Sequence, residues 1–464
     1  MADLGDLGVV ETVRLTSGGE ASARAVVDAA LERIDRPDRR FNAFSVVLAE
    51  QARAEADERD AALARGEAPG PLHGVPVAIK EEIDVAGCVT TFGGRANTTS
   101  VAADSEVVRR LRAAGAVVIG KTAMPEFGSF PFTESEATGY TLNPWDVARS
   151  PGGSSGGTAV AVAAGLVPVG IGGDGGGSIR VPSSFCGLFG LKPQRGRVST
   201  APHPHLWWAL GVVGPLARSV ADSALVYDVI RGNLPSDRFR AGGDESFVAA
   251  AAREPGRLRV GWSVKPPTLG VRNDPVHVRA VEDTARLLTD LGHDVREIDV
   301  RYPDPTFAFV PQFFAGIRTE ADEVEHYDRL ERRTRETYRL GAWVRPGVLE
   351  WALRRTETYS ARINRVFDDI DVLLTPVTAH RPPPLGIVMG KGTVRSSLAS
   401  LPTITYLVPW NVAGNPAAAV PCGIADDGLP VAVQLVGRAD DEATLFSLSA
   451  QLEGARPFPR WTED

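Results

Sequence analysis

Apolar positions along this chain switch repeatedly between a helical and a strand period. From Ala21 to Ile34, residues Val26, Val27, Ala30, Leu31 and Ile34 fall on one face of a helix, and Glu50 to Ala64 reads as a second helix, charged and solvated. Val75 to Lys80 is a short apolar run that reads as a strand. Ser105 to Ala114 reads as a helix closed by Gly115, with a strand from Val117 to Ile119 after it. The same alternation returns with the helix Thr158 to Ala164, the strand Val167 to Ile171, the helix Ser219 to Ile230, the strand Leu258 to Gly261 and the helix Asp274 to Leu291. Strands alternating with helices predict an α/β fold, a central mixed twisted β-sheet with helices on both faces.

The pattern changes from Pro303 to Asp369, where Arg, Glu and aromatic residues dominate and strand alternation stops. The segment at about 303–369 is read as a helical excursion beside the sheet, shaping a substrate entrance. Strands resume at Val372 to Thr375, Ala418 to Val420 and Val431 to Val436, and Asp441 to Glu453 is a closing helix. Because the C-terminal strands complete the sheet, 1–464 reads as a single domain.

Composition narrows the possible partners. The chain has 464 residues, 43% of them hydrophobic and 23% charged, and a net charge of −8 with the basic residues dispersed. That argues against nucleic acid, an anionic membrane or a polyanionic substrate. Cys88, Cys186 and Cys422 are isolated, which fits a reducing compartment and offers no metal site. No apolar run approaches the roughly 18 residues that span a bilayer, and Met1 to Glu11 is acidic. The expected compartment is the cytoplasm.

The candidate chemistry lies between Gly152 and Arg180. Gly172 to Ser178, GGDGGGS, offers successive backbone N–H groups with few side chains in the way, as a nest for a developing oxyanion requires, and it ends on a hydroxyl. Gly152 to Gly157, GGSSGG, opens a helix, where Ser154 and Ser155 taken alone read as caps. A serine nucleophile needs a base. Of the seven histidines only His203 and His205 pair near the glycine segment, and the others lie in loops or charged helical stretches. Lys80, ending an apolar strand, is the other candidate. Burial strips its solvation and favours the neutral amine, an effect Glu81 and Glu82 oppose if they lie close.

The order of Lys80, GGSSGG, GGDGGGSIR, Pro182 and CGLFGLKP from Cys186 to Pro193 resembles the amidase signature family. The resemblance continues through GVPVAIK at Gly74, AGAVVIGKT at Ala114, NPW at Asn143, GPLARSVAD at Gly214, VPWNVAGNPAAAVPCG at Val408 and DGLPVAVQLVG at Asp427, and so covers nearly the whole chain. It implies the amidase signature fold and a Ser-cisSer-Lys triad in which the nucleophile follows the bridging serine by 24 residues, the separation of Ser154 and Ser178. On that resemblance Ser178 is the nucleophile, Ser154 the bridge in a cis peptide and Lys80 the base. Gly175, Gly176, Gly177 and Ser178 supply oxyanion donors, and Ser155, Asp174 and Arg180 support the loop. No cofactor or metal is implied.

Two shorter motifs compete. Gly115 to Thr122 satisfies GxxxxGK[ST], but a helix precedes it and Pro125 follows, the reverse of a phosphate-binding loop. Gly152 to Gly156 fits the GxSxG elbow of α/β-hydrolases, centred on Ser154, but polar, proline-bounded sequence leads into it instead of a strand. Within the family, a glutaminase subunit of a tRNA-dependent amidotransferase is the alternative, disfavoured by the C-terminal region and the Trp410 to Pro416 stretch. The pattern, including GKGTV at Gly390, looks most like stand-alone bacterial amidases acting on small, aryl or oligomeric amides, near the cyclic-dimer hydrolases, with carbamates or esters as further substrates. The expected partner is a small-molecule amide or carbamate, and the expected state a monomer or homodimer.

Departures from the family pattern bear on substrate. Gly175 stands where many members have Thr, and Ala123 where Asn is often found. Gly128, Ser129, Phe130 and Phe132 fall where relatives line the acyl pocket. Trp207 and Trp208, in HPHLWW from His203, are read as a lid over an apolar or aromatic substrate.

Overall fold

The computed structural model describes residue 4, residues 6–203 and residues 207–462. Its strands are β1 Phe44–Val47, β2 Pro76–Lys80, β3 Val117–Thr122, β4 Glu134–Ser135, β5 Gly139–Tyr140, β6 Val169–Gly173, β7 Phe189–Lys192, β8 Val213–Ala217, β9 Arg259–Trp262, β10 Asp294–Glu297, β11 Val372–Pro376, β12 Ala417–Ile424 and β13 Pro430–Gly437. Among the described residues, β4 and β5 form a small hairpin and the other strands make one 11-stranded sheet, ordered β1-β3-β2-β6-β8-β7-β12-β13-β11-β9-β10. The sheet is mixed: β2 runs parallel to β3 and β6, β9 runs parallel to β10 and β11, and β6, β8, β7, β12 and β13 pair antiparallel in turn.

Alternation along the central strands builds two cores. In β2, Val77 and Ile79 join one apolar cluster while Ala78 joins another, and in β3 Val118 is separated from Val117 and Ile119 in the same way. Successive side chains of a strand point to opposite faces, so both faces are covered, as expected of buried parallel strands. The first cluster takes in the helices Glu106–Ala113, Val220–Ile230, Pro275–Asp290 and Glu442–Ala455. The second takes in Ala23–Arg33 and Gly156–Ala163.

Several helices start where their caps dictate. Ser22, Ser219, Asp274 and Asp441 each accept a backbone N–H from the first turn, and Pro275 follows Asp274 at the first helical position. The helix Gly156–Ala163 is made of small residues because it runs close to its neighbours. A Cβ at Gly157 would sit 2.5 Å from both Ala123 N and Ala43 O.

The segment 303–369 holds the helices Thr306–Glu323, Arg332–Leu340 and Pro346–Ile363. They pack with Trp410, Leu373 and Val436 in a third apolar cluster. The Arg332–Leu340 helix is joined to the body through Glu126, whose buried carboxylate accepts the Glu331 N–H at 2.9 Å.

Burial, with the nearby Glu331 adding to it, pushes the Glu126 carboxyl up to about 7. A carboxyl raised in the folded state contributes stability that is complete below its unfolded value and is lost as pH rises through about 7. Glu126→Gln is therefore expected to lessen the fall in thermal stability between about pH 5 and pH 8, by up to about 3 kcal/mol. Glu453, also raised by burial to about 7, keeps its share of the slope in both proteins. Parallel pH profiles of melting temperature for the two proteins would contradict the assignment.

Candidate active site

Two adjacent parallel strands set the site. β2 and β6 are paired in register at Val77 with Val169 and Ile79 with Ile171, so their C-terminal ends, Lys80 and Gly173, open at the same edge of the sheet. A crevice beyond the carboxyl ends of parallel strands is where open α/β sheets bind ligands. The loop after β6 carries Asp174 to Ser178, and the loop before the Gly156–Ala163 helix carries Ser154 and Ser155. One cavity is lined by Lys80, Glu82, Gly128, Ser154, Gly173, Asp174, Gly175, Ser178, Trp207 and Gly211.

Within it, Lys80 is 1% exposed and its Nζ donates to Ser154 Oγ at 2.7 Å. The Gly153–Ser154 peptide is cis. The Ser178 carbonyl accepts the Ser155 N–H at 3.3 Å, tying the two serine loops together. Ser155 Oγ donates to Gly173 O at 3.2 Å and accepts from Gly173 N at 3.3 Å, so it braces the end of β6. Gly128, at φ +63°, lies over the bridge: a Cβ there would be 3.0 Å from Ser154 Oγ.

The glycine loop is shaped by Asp174. Its carboxylate accepts from Gly177 N at 2.7 Å, Ile179 N at 3.2 Å and Asn411 Nδ2 at 2.8 Å, and from Arg180 Nε and Nη2, each at 3.0 Å. Burial alone would raise this carboxyl; the Arg180 charge and the Arg180 and Asn411 hydrogen bonds hold it well below the usual carboxylate range. Arg180, fully buried, also donates to Gln434 Oε1 at 2.8 Å and Asn411 Oδ1 at 2.6 Å. One expected oxyanion donor is corrected here, because the Gly177 N–H is turned inward to Asp174. Among the described residues, no protein group accepts from the N–H groups of Gly175, Gly176 or Ser178.

The acidic neighbours of Lys80 divide. Glu81 goes to Lys121, 3.5 Å away, because β3 lies beside β2. Glu82 goes to Lys80, 3.0 Å away. Lys121 stands inside β3, so Gly115 to Thr122 is a strand with its preceding turn, not a phosphate loop. Among the described residues no strand leads into Ser154, and its hydrogen-bond partner there is a lysine, which argues against the elbow reading. His203 pairs with Asp84 at 3.1 Å; His205 lies outside the described residues.

The expected substrate residues separate too. Gly128 and Trp207 line the cavity. Phe130 and Phe132 instead pack with Val388 in their own cluster, with Arg333 stacked 5.0 Å from the Phe130 ring, and Ser129 Oγ donates to Glu126 O. None of these three is among the residues that line the cavity.

Of the proposed 203–208 lid, Pro204, His205 and Leu206 lie outside the described residues. Trp207 is buried, Trp208 half-buried, and both have positive φ, 46° and 60°. Trp207 is a wedge. A Cβ at Gly175 would lie 2.7 Å from its Cε3, one at Gly316 would lie 2.9 Å from its Cδ1, and Phe313 meets its ring edge-on at 5.4 Å. The glycine at 175 thus has a physical reason, which could not be read locally because its partner is 32 residues away. Phe309 stands 3.5 Å from where a Gly176 Cβ would be, bringing the Thr306–Glu323 helix against the same loop.

Gly175→Ala is expected to cost about 1–3 kcal/mol in urea unfolding by overpacking against Trp207. In a Trp207→Ala background the added cost should largely vanish. An equal cost in both backgrounds would show that the two residues do not contend for one space.

The chain is similar to known proteins over nearly its whole length. The family described as Amidase matches residues 25–446. A protein of Mycobacterium tuberculosis named "Putative amidase AmiB2" is 49% identical over 459 residues, covering 98% of this chain and 97% of its own length. The 6-aminohexanoate-cyclic-dimer hydrolase of Paenarthrobacter ureafaciens is 34% identical over 483 residues, covering 96% and 94%. A solved structure of 6-aminohexanoate cyclic dimer hydrolase complexed with substrate superposes with a TM-score of 0.92 at 31% identity, covering 99% of both chains.

Proposed function

The chain belongs to the amidase family and is an amide-hydrolysing enzyme; from that premise we propose that it cleaves a carbon–nitrogen bond through an acyl-enzyme on Ser178. The observation that carries this reading is the 2.7 Å contact between Lys80 Nζ and Ser154 Oγ, buried in the cavity that Ser178 and the glycine loop also line.

Neutral Lys80 Nζ takes the Ser154 hydroxyl proton as Ser154 Oγ takes that of Ser178. Ser178 Oγ attacks the substrate carbonyl carbon, and the N–H groups of Gly175, Gly176 and Ser178 receive the oxyanion. The proton on Lys80 returns through Ser154 to the leaving nitrogen as the carbon–nitrogen bond breaks. Water then attacks the acyl carbon by the same relay in reverse. Asp174 and Arg180 hold the loop without touching the reacting atoms.

The substrate is a small, aryl or oligomeric amide. Trp207 supplies an apolar wall to the cavity, with Phe309 and Leu407 against the glycine loop, and a relative named for a cyclic dimer of 6-aminohexanoate supports the oligomeric case. Aryl carbamates and esters present the same tetrahedral intermediate to the same groups. No helix among the described residues is long and apolar enough to cross a membrane. We place the enzyme in the cytoplasm, as a monomer or homodimer.

Ser178→Ala and Lys80→Ala are each expected to lower kcat by about 10³-fold or more on an acetanilide. A Lys80→Ala enzyme fully active at neutral pH would refute the base. A panel of an acetanilide, a primary amide, a short peptide amide and an aryl carbamate assigns the class. The anilide or the carbamate is expected to show the highest kcat/KM, and a preference for the peptide amide would overturn the aryl reading.

A further inference from the structure

The turn that ends β2 folds a carboxylate back onto the proposed base. Ile83 N donates to Lys80 O at 3.0 Å, closing a turn whose two central residues are Glu81 and Glu82. Its geometry sends Glu81 toward Lys121 and Glu82 to within 3.0 Å of Lys80 Nζ. The Glu82 position is built by its neighbours. A Cβ at Gly173 would sit 2.1 Å from Glu82 Oε1, and one at Gly128 would sit 3.5 Å from Oε2, so the glycine that ends β6 and the one at 128 leave the slot the carboxylate fills. Lys80 Nζ is thus held between a hydroxyl it must deprotonate and an anion it must leave or keep.

We propose that Glu82 is a positioning residue that acts through Lys80: it aims Nζ at Ser154 and sets the pH at which the relay begins to work. The proposal rests on the assignment of Lys80 as base. An anion in contact with Nζ favours the ammonium over the free amine. With three protons Nζ cannot accept from Ser154, so it must first give one to solvent. During acylation the proton leaving Ser178 Oγ moves to Ser154 Oγ as the Ser154 proton moves to Nζ, restoring the ammonium against the Glu82 carboxylate as the oxyanion forms. Glu82 therefore delays the onset of activity with pH and stabilises the charge pair formed in the first step.

Of the other charged groups near the pair, His203, Asp174 and Glu81 have partners, while Glu320 Oε2 is buried with no hydrogen-bond partner among the described residues. On the Thr306–Glu323 helix, Glu320 is pushed well above the usual carboxylate range by burial and then by the like charge of Glu82. His203 is raised by its hydrogen bond to Asp84, with Glu323 and Glu82 contributing at longer range. Asp174 is bound to Arg180 and Glu81 to Lys121. Among the described residues, Glu82 is the carboxylate in contact with Nζ.

The test is the pH dependence of kcat/KM on an acetanilide for the native enzyme, Glu82→Gln and Glu82→Asp, with Lys80→Ala as control and circular dichroism to confirm folding. Glu82→Gln keeps the shape and removes the charge. Its acid limb is expected to move down by about 1–3 pH units, with a lower plateau in kcat. Glu82→Asp, which restores the charge, should return the limb toward the native position. If Lys80→Ala is inactive and the Glu82→Gln limb lies within about 0.3 unit of the native one, this inference fails while the proposed mechanism stands. If Lys80→Ala is active, the mechanism itself fails. Should Glu82→Gln not fold, an unmoved limb in a folded Glu82→Ala variant, which also removes the charge from Nζ, overturns it equally.

Discussion

Everything at the catalytic edge depends on one buried ion pair, Asp174 with Arg180. Neither side chain is exposed, and the Asp174 carboxylate receives two backbone N–H groups of its own loop in addition to the guanidinium and Asn411. A glycine-rich loop has the largest conformational freedom to lose and no side chains with which to hold a shape. Here the shape is imposed from inside by a carboxylate that draws Gly177 and Ile179 inward and leaves the remaining N–H groups of the loop for a substrate oxygen. Arg180 extends the restraint to Gln434 on β13 and Asn411, so the loop after β6 is fastened to the C-terminal strands. Breaking such a pair by removing one partner costs about 3–5 kcal/mol, because the other is left buried and unpaired. The pair is therefore better understood as fixing one loop conformation than as adding net stability.

Around this anchor, the sheet does the positioning. Parallel pairing of β2 with β6 delivers Lys80 and the glycine loop to the same edge, and the small-residue helix Gly156–Ala163 approaches closely enough to hang Ser154 between them. The glycines near the site each admit something specific: Gly173 the Glu82 carboxylate, Gly175 the Trp207 ring, Gly177 the Leu407 side chain. Each is a place where the backbone must come close to another group.

The central strands and capped helices were legible from periodicity, as Val75 to Lys80 and the Asp274-capped helix illustrate, and the Lys80, Ser154 and Ser178 constellation was legible from motif order. Strands β1, β7, β8 and β10 were not. β1 and β10 are short, half-exposed edge strands, and β7 and β8 are interrupted by Gly190 and by Gly214 and Pro215, which argue locally against a strand. Long-range contacts were equally silent. Nothing local announces that Glu82 would turn back on Lys80 while Glu81 turned away, since the register of β2 against β3 decides it. Nor could the 128–132 stretch reveal that Phe130 and Phe132 meet Val388, leaving only Gly128 to face the cavity.

The assignment of different tasks to two nearby serines is tested most directly by peptide mapping after reaction with an electrophilic phosphonyl probe, which leaves a covalent adduct on the attacking hydroxyl. The adduct is expected on Ser178 in the native enzyme and absent in Lys80→Ala. An adduct on Ser154, or none in a folded enzyme that still turns over an amide, would contradict the division of labour between the bridge and the nucleophile.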